Sequence, residues 1–153
     1  MSDSHGNYRV LEDILLRNPD AYMFIHLGDG ERELDRLVTL NPTLNVRHVA
    51  GNCDAASLSP NTDIAVVGGK KLIFTHGHSF HVNYSTDRLG SMARQNGADI
   101  LLFGHTHCRL NTYEDGIYIL NPGSCSAPRD CSRPSYGYID ITNAGIVTNI
   151  VSL

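Results

Sequence analysis

Five short stretches of the chain place carboxylate, imidazole or amide side chains beside glycine. They are SDSHGN (2–7) with Asp3 and His5, GDG (28–30) with Asp29, GNCD (51–54) with Asn52 and Asp54, THGH (75–78) with His76 and His78, and GHTH (104–107) with His105 and His107. Imidazoles and carboxylates with no obligatory thiolate suit Mn²⁺, Fe or Zn²⁺ better than Ca²⁺, which takes oxygen alone. The set is too large for one four-coordinate ion. It fits two ions sharing a bridging carboxylate, the arrangement that clamps both the attacking and the leaving oxygen of an in-line displacement. Two divalent ions outweigh the carboxylates Asp3 and Asp29 even after a hydroxide is added, so the site attracts an anion. A phosphate ester is the obvious one.

Loops this far apart converge only if each follows a strand at the same end of a sheet, where α/β folds gather their ligands. The pattern supplies such strands. YRVLEDILLR (8–17) puts Val10, Leu11, Ile14 and Leu15 on one helical face, and Pro19 stops the helix. The apolar run at 21–27 leads into GDG as a strand. A helix over 31–40 follows, with Leu34, Leu37 and Val38 on one face, and then a strand over 44–50 that ends in GNCD. Helix, strand, helix, strand predicts parallel pairing with crossovers. The second half predicts a hairpin turning at Gly68-Gly69, a helix over 85–96 ended by Gly97, and a strand from residue 99 into GHTH. Two more hairpins turn at Asp115-Gly116 and at 143–145. Glycine beside each ligand allows a sharp turn and close packing.

Composition bounds the alternatives. At 153 residues the chain fits one domain, residues 1–153, with a substantial core. A net charge of −4 announces no extended nucleic-acid surface, though a nucleotide could still occupy a local site. No apolar run approaches the ~20 residues of a membrane span. Cys53, Cys108, Cys125 and Cys131 form no C-x-x-C pair, so reduced thiols in a cytoplasm are the expectation.

Taken in order, D-x-H, G-D, G-N-x-D, the G-H turn and G-H-x-H resemble the signature of the calcineurin-like metallophosphoesterases. NPGS at 121–124 resembles the small, cap-less, single-domain members, and the likeness runs from residue 2 to about residue 140. The resemblance implies a four-layer α/β/β/α sandwich of mixed sheets. It implies that Asp3, His5 and His107 hold one metal, that Asn52, His76 and His105 hold a second, and that Asp29 bridges them. The metals would be Mn or Zn, with Fe as the alternative, and a metal-bridging hydroxide would attack phosphorus.

The chain departs from the family pattern twice. Many members carry GNHD, and the histidine there is thought to protonate the leaving group. Cys53 stands in its place, which puts the general acid in doubt and makes His78 a substitute. The small bacterial and archaeal members often carry GNCD as well. Members also have an apolar strand just before D-x-H, and only Met1 and Ser2 precede Asp3 here. The expectation is a missing first strand, with Met1 an internal methionine of a longer product.

Plainer roles are expected elsewhere. His26 and His48 read as strand histidines satisfied by hydrogen bonds, and His81 as surface. Asp54 reads as a group that orients a ligand. Asn121, Gly123 and Ser124 read as a tight turn, Arg129 as an exposed loop residue, and Cys108, Cys125 and Cys131 as plain residues. The leading function is a metal-dependent phosphodiesterase acting on a small phosphate-ester or nucleotide-like substrate. The alternatives are a phosphomonoesterase or nucleotide pyrophosphatase on the same site, or a non-catalytic scaffold, the role of a eukaryotic protein-sorting subunit with this fold. Exposed strand edges in the second half leave room for a homodimer.

Overall fold

The computed structural model describes residues 1–153. The elements are α1 (Tyr8–Arg17), β1 (Phe24–His26), α2 (Glu31–Leu40), β2 (Val46–His48), β3 (Thr62–Val67), β4 (Lys70–Thr75), α3 (Asp87–Gln95), β5 (Ile100–Leu102), β6 (Arg109–Glu114), β7 (Ile117–Pro122), β8 (Ser135–Thr142) and β9 (Gly145–Ser152). The helices and hairpins follow the sequence pattern closely. Asn7 caps α1 by accepting from the Val10 N–H. Gly97, at φ 63°, ends the α3 segment. Three of the four strands that lead into ligand loops, β1, β2 and β5, keep only three residues each of the longer runs expected, because their ladders pair over three residues only.

Three sheets make two layers. β1 and β2 pair in parallel across the α2 crossover, and β8 pairs antiparallel with β9. The third sheet has the order β3-β4-β5-β7-β6, with β4, β5 and β7 parallel and the two edge strands antiparallel. Alternation along its strands faces two cores. Ile73, Leu101, Ile117 and Ile119 pack on one side with Leu89 and Ala93 of α3. Leu72, Phe74, Ile100, Leu102 and Leu120 pack on the other with Leu27 and Val49, and against Ile139 and Ile141 of β8. The outer face of the β1–β2 layer is covered by Leu11 and Ile14 of α1 and Leu34 and Leu37 of α2. Each of these fully buried leucines and isoleucines contributes about 1.5–3 kcal/mol by leaving water. The layer order is therefore α, β, β, α.

Met1–Asp3 lie alongside β1. The Met1 ammonium donates to the Ile25 carbonyl at 2.9 Å, Leu27 N–H donates to the Met1 carbonyl at 2.9 Å, and Cys125 N–H donates to the Ser2 carbonyl at 3.1 Å. The backbone before the D-x-H loop is thus held on both sides. Next to Met1, a largely apolar cavity of about 320 Å³ lies between β1 and β8, lined by Phe24, Ile25, Tyr136 and Ile139 among others. No helix is long and apolar enough to cross a membrane.

Candidate metal centre

The carboxyl ends of β1, β2, β4 and β5 lead into four of the five loops, and residues 1–3 deliver the fifth. Asp3 and Asp29 are buried, at 0% and 3% exposure, and His76 is buried with them. Asp29 Oδ2 lies 3.5 Å from His76 Nε2 and 3.9 Å from His5 Nε2. Asp3 Oδ1 lies 3.2 Å from His107 Nε2 and 4.0 Å from His76 Nε2. His5 and His107 face each other through Nε2 at 3.1 Å. Asn52 Oδ1 is 3.2 Å from His76 Nε2. The rings of His105 and His76 are 5.0 Å apart.

Ligand atoms of Asp3, His5 and His107 all lie within 4.8 Å of one another, and so do those of Asp3, Asp29 and His76. Asp3 Oδ1 is buried with no hydrogen-bond partner. A buried carboxylate oxygen left unpaired costs heavily unless a cation or donor meets it. The donor set and this orphan oxygen both fit divalent cations.

The ring nitrogens are oriented from behind. Nδ1 of His76 donates to the Leu27 carbonyl at 2.7 Å, and Nδ1 of His107 donates to the Ala127 carbonyl at 2.6 Å. Each bond fixes the tautomer and turns Nε2 to the cluster, as metal-binding imidazoles require. The Asn83 amide nitrogen reaches His105 Nε2 at 2.9 Å. Asp54 ligates nothing in this arrangement. Its carboxylate accepts from the backbone N–H groups of Asp29, Gly30, Glu31 and Gly51, at 2.8–2.9 Å, and knits the second and third loops together. Close approach demands glycine here. A Cβ at Gly51 would overlap Asp29 Oδ1, and one at Gly104 would overlap Ser2 Oγ.

Electrostatics follow from these contacts. Burial works against charge on His76, but the Asp29 and Asp3 carboxylates overcome it and raise its pKa. His107 is raised chiefly by the Asp3 carboxylate, 3.2 Å from its Nε2. Burial opposes ionisation of Asp29, yet His76 and the Cys53 N–H hold its carboxyl well below the usual range. Burial and then Asp29 push the Cys53 thiol up to about 11. His78 is lowered by burial and by His76. Its ring stands 5.4 Å from that of His76 and 6.2 Å from that of His105, and its Nδ1 is buried without a partner.

Some supporting residues carried no sequence signal of a role. Ser4 Oγ donates to Glu33 at 2.6 Å and receives His26 Nε2 at 3.1 Å, while His26 Nδ1 accepts from Gly28 N–H. Glu33 also accepts from Gly6 N–H. This chain braces the first loop against the second. His26 is satisfied as expected, whereas His48 bonds Ser59 through Nδ1 and leaves Nε2 buried and unpaired. The NPGS turn is also a brace: Asn121 donates to the Gly104 carbonyl and Ser124 to the Asp3 carbonyl. Cys53 was expected only to stand in place of the family's histidine, leaving the general acid in doubt. Its sulfur lies within ligand reach of His5 and Asp29.

The sequence matches the calcineurin-like phosphoesterase superfamily domain over residues 1–144. It is 32% identical over 145 residues to the probable metallophosphoesterase YsnB of Bacillus subtilis, covering 94% of this chain and 83% of that protein. It is 30% identical over 162 residues to the phosphodiesterase YfcE of Escherichia coli, covering 91% and 84%. A conserved protein from Streptococcus pneumoniae, described as a predicted phosphoesterase, superposes with a TM-score of 0.87 at 32% identity, covering 99% of this chain and 86% of that one. A Vps29 protein from Entamoeba histolytica, solved with zinc, superposes with a TM-score of 0.71 at 24% identity, covering 94% and 88%.

Proposed function

Since the chain belongs to the calcineurin-like phosphoesterase superfamily, we propose that it hydrolyses small phosphodiesters at a centre of two divalent cations. The observation that carries this reading is Asp29, whose Oδ2 faces His76 at 3.5 Å and His5 at 3.9 Å. One carboxylate oxygen thereby adjoins both ligand groups. Asp3, His5 and His107 would hold one cation, Asn52, His76 and His105 the other, and Asp29 would bridge; manganese or zinc suits these donors. When bound, the cations supply charge that neutralises the phosphate and acidify a water for attack.

The chain's own groups set what it can do with that chemistry. Asp54 fixes the loops that present Asp29 and Asn52. His78 faces the site from the loop after β4, and burial beside His76 keeps it neutral near pH 7. A neutral imidazole is a weak acid, so the site favours leaving groups that need little protonation. Diesters of acidic alcohols, nucleotide-like ones included, meet that condition better than alkyl monoesters. Four unpaired cysteines support a cytoplasmic setting.

The test is parallel hydrolysis of an aryl phosphodiester and its monoester by chelator-stripped protein refilled with Mn²⁺ or Zn²⁺. Metal-restored cleavage, faster on the diester, is the expected result. Faster monoester cleavage would make the protein a phosphomonoesterase. No turnover with metal demonstrably bound would favour the scaffold reading, to which the likeness to Vps29 lends support.

A further inference from the structure

Cys53 is the group at the rim of the cluster for which the proposed reaction has no use. Its Sγ, a His5 ring nitrogen and an Asp29 carboxylate oxygen all lie within 4.8 Å of one another. The thiol is held on that side. Cys53 N–H donates to Asp29 Oδ1 at 2.7 Å, and Asn52 Nδ2 meets Sγ at 3.3 Å. His5 is shared between this group and that of Asp3 and His107. Its imidazole is also less constrained than those of His76 and His107. His76 and His107 are tied to backbone carbonyls through Nδ1, whereas His5 bonds only through Nε2 and its side chain is 32% exposed. A separate observation calls for positive charge beside it: Asp3 Oδ1, fully buried and unpartnered, lies 3.9 Å from His5 Nε2.

We propose that Cys53, His5 and Asp29 form a thiolate subsite of the metal centre that selects thiophilic divalent cations, such as zinc, cobalt or cadmium, over manganese. The inference rests on reading the cluster as a metal centre and adds sulfur to its ligands. With Asp3, His5, His107 and Asp29 already assigned to that cation, sulfur would be its fifth protein ligand, the expanded count that reactive rather than structural zinc takes. A soft sulfur donor separates zinc and cadmium from manganese, which an all-nitrogen and oxygen set does weakly. On ligation the thiol releases its proton to solvent and a sulfur lone pair forms the bond to the cation.

Titrating chelator-stripped protein with Co²⁺ tests this without any turnover. Visible d–d bands report the bound ion, and near-ultraviolet thiolate-to-cobalt charge transfer reports sulfur ligation. The native chain should show both. Cys53→Ser and Cys53→His should keep the visible bands and lose the ultraviolet one. Cadmium affinity by calorimetry should fall at least about tenfold in both variants, as it does even for loss of an outer partner of a site, while manganese affinity holds. Visible bands without charge transfer in the native protein would overturn the subsite and leave the metal centre standing. Charge transfer that survives in Cys53→Ser would assign the sulfur elsewhere and also overturn it. Failure of Co²⁺ to bind at all would remove both the subsite and the metal centre.

Discussion

Left-handed backbone marks both the hairpin turns and the candidate centre, with different residues at each. At the hairpin turns it falls on Gly68-Gly69 (φ 56° and 75°) and Asp115-Gly116 (φ 51° and 83°), residues that adopt it at little cost. At the candidate centre it falls on Asp3 (56°), His5 (44°), Asp29 (56°), His105 (68°) and His107 (57°). Asp3 and Asp29 adopt it about as readily as Asp115 does, but the three histidines each cost on the order of 1–2 kcal/mol. The turns thus use whatever residue suits the backbone. The site loops keep residues that suit the chemistry, and the surroundings impose the backbone on them. The restraints are visible: Asp3 N–H donates to the Gly28 carbonyl, His5 N–H to the Asp29 carbonyl and His105 N–H to Asp3 Oδ2. Strain of this kind gathers where function over-determines a conformation.

The strongest challenge to this contrast removes a ligand outright. Asp29→Ala should lower diesterase turnover by about 10³-fold or more, the scale of losing a main electrostatic group, with little change in the fold's circular dichroism. Full activity in that variant would refute the bridging assignment. Next comes the restraint itself. Asp54→Ala strands four backbone N–H groups and should cost about 3 kcal/mol or more in urea unfolding. Asp54→Asn should recover about half, since each carboxylate oxygen serves two of the four donors. Equal losses in the two variants would mean that the charge matters more than the bonds.

A third test uses pH. Burial lowers the pKa of His26 well below its ordinary value, so the folded chain keeps it neutral while the unfolded chain binds a proton near pH 6.5. The unfolded state then holds more protons in acid. Stability is therefore complete above that pH and declines below it, by up to about 1.4 kcal/mol per pH unit for one proton. In metal-free protein, His26→Gln should flatten this slope, and an unchanged slope would place the titration elsewhere. The smallest effect is the most direct comparison of the two regions. His5→Gly should stabilise the metal-free fold by about 1 kcal/mol while weakening metal binding, and Gly116→Ala should destabilise it by about the same amount. Destabilisation by His5→Gly would show that the site loops are relaxed.

Much of this was legible along the chain because it depends on local pattern. The faces of α1 and α2, the hairpins at Gly68-Gly69 and Asp115-Gly116, and the stop at Gly97 all rest on periodicity and turn chemistry within a few residues. The strands β1, β2 and β5 were read too long, since the length of a ladder is set by the neighbouring strand it pairs with. Ser4, Glu33 and Asn83 gave no signal, because a brace is defined by its partner and the partner lies 29 residues away for Ser4 and 22 for Asn83.

The sequence by itself determined which side chains could bind a cation, in what order they come, and that glycine stands next to them. Those are properties of residue type and spacing. Only the tertiary structure decided that Asp29 lies between His5 and His76, that Asp3 Oδ1 is buried and unpaired, and that Cys53 shares His5 with Asp3 and His107. Contacts between residues 24 to 102 positions apart depend on how two sheets stack and where their strands end, and no local pattern records that.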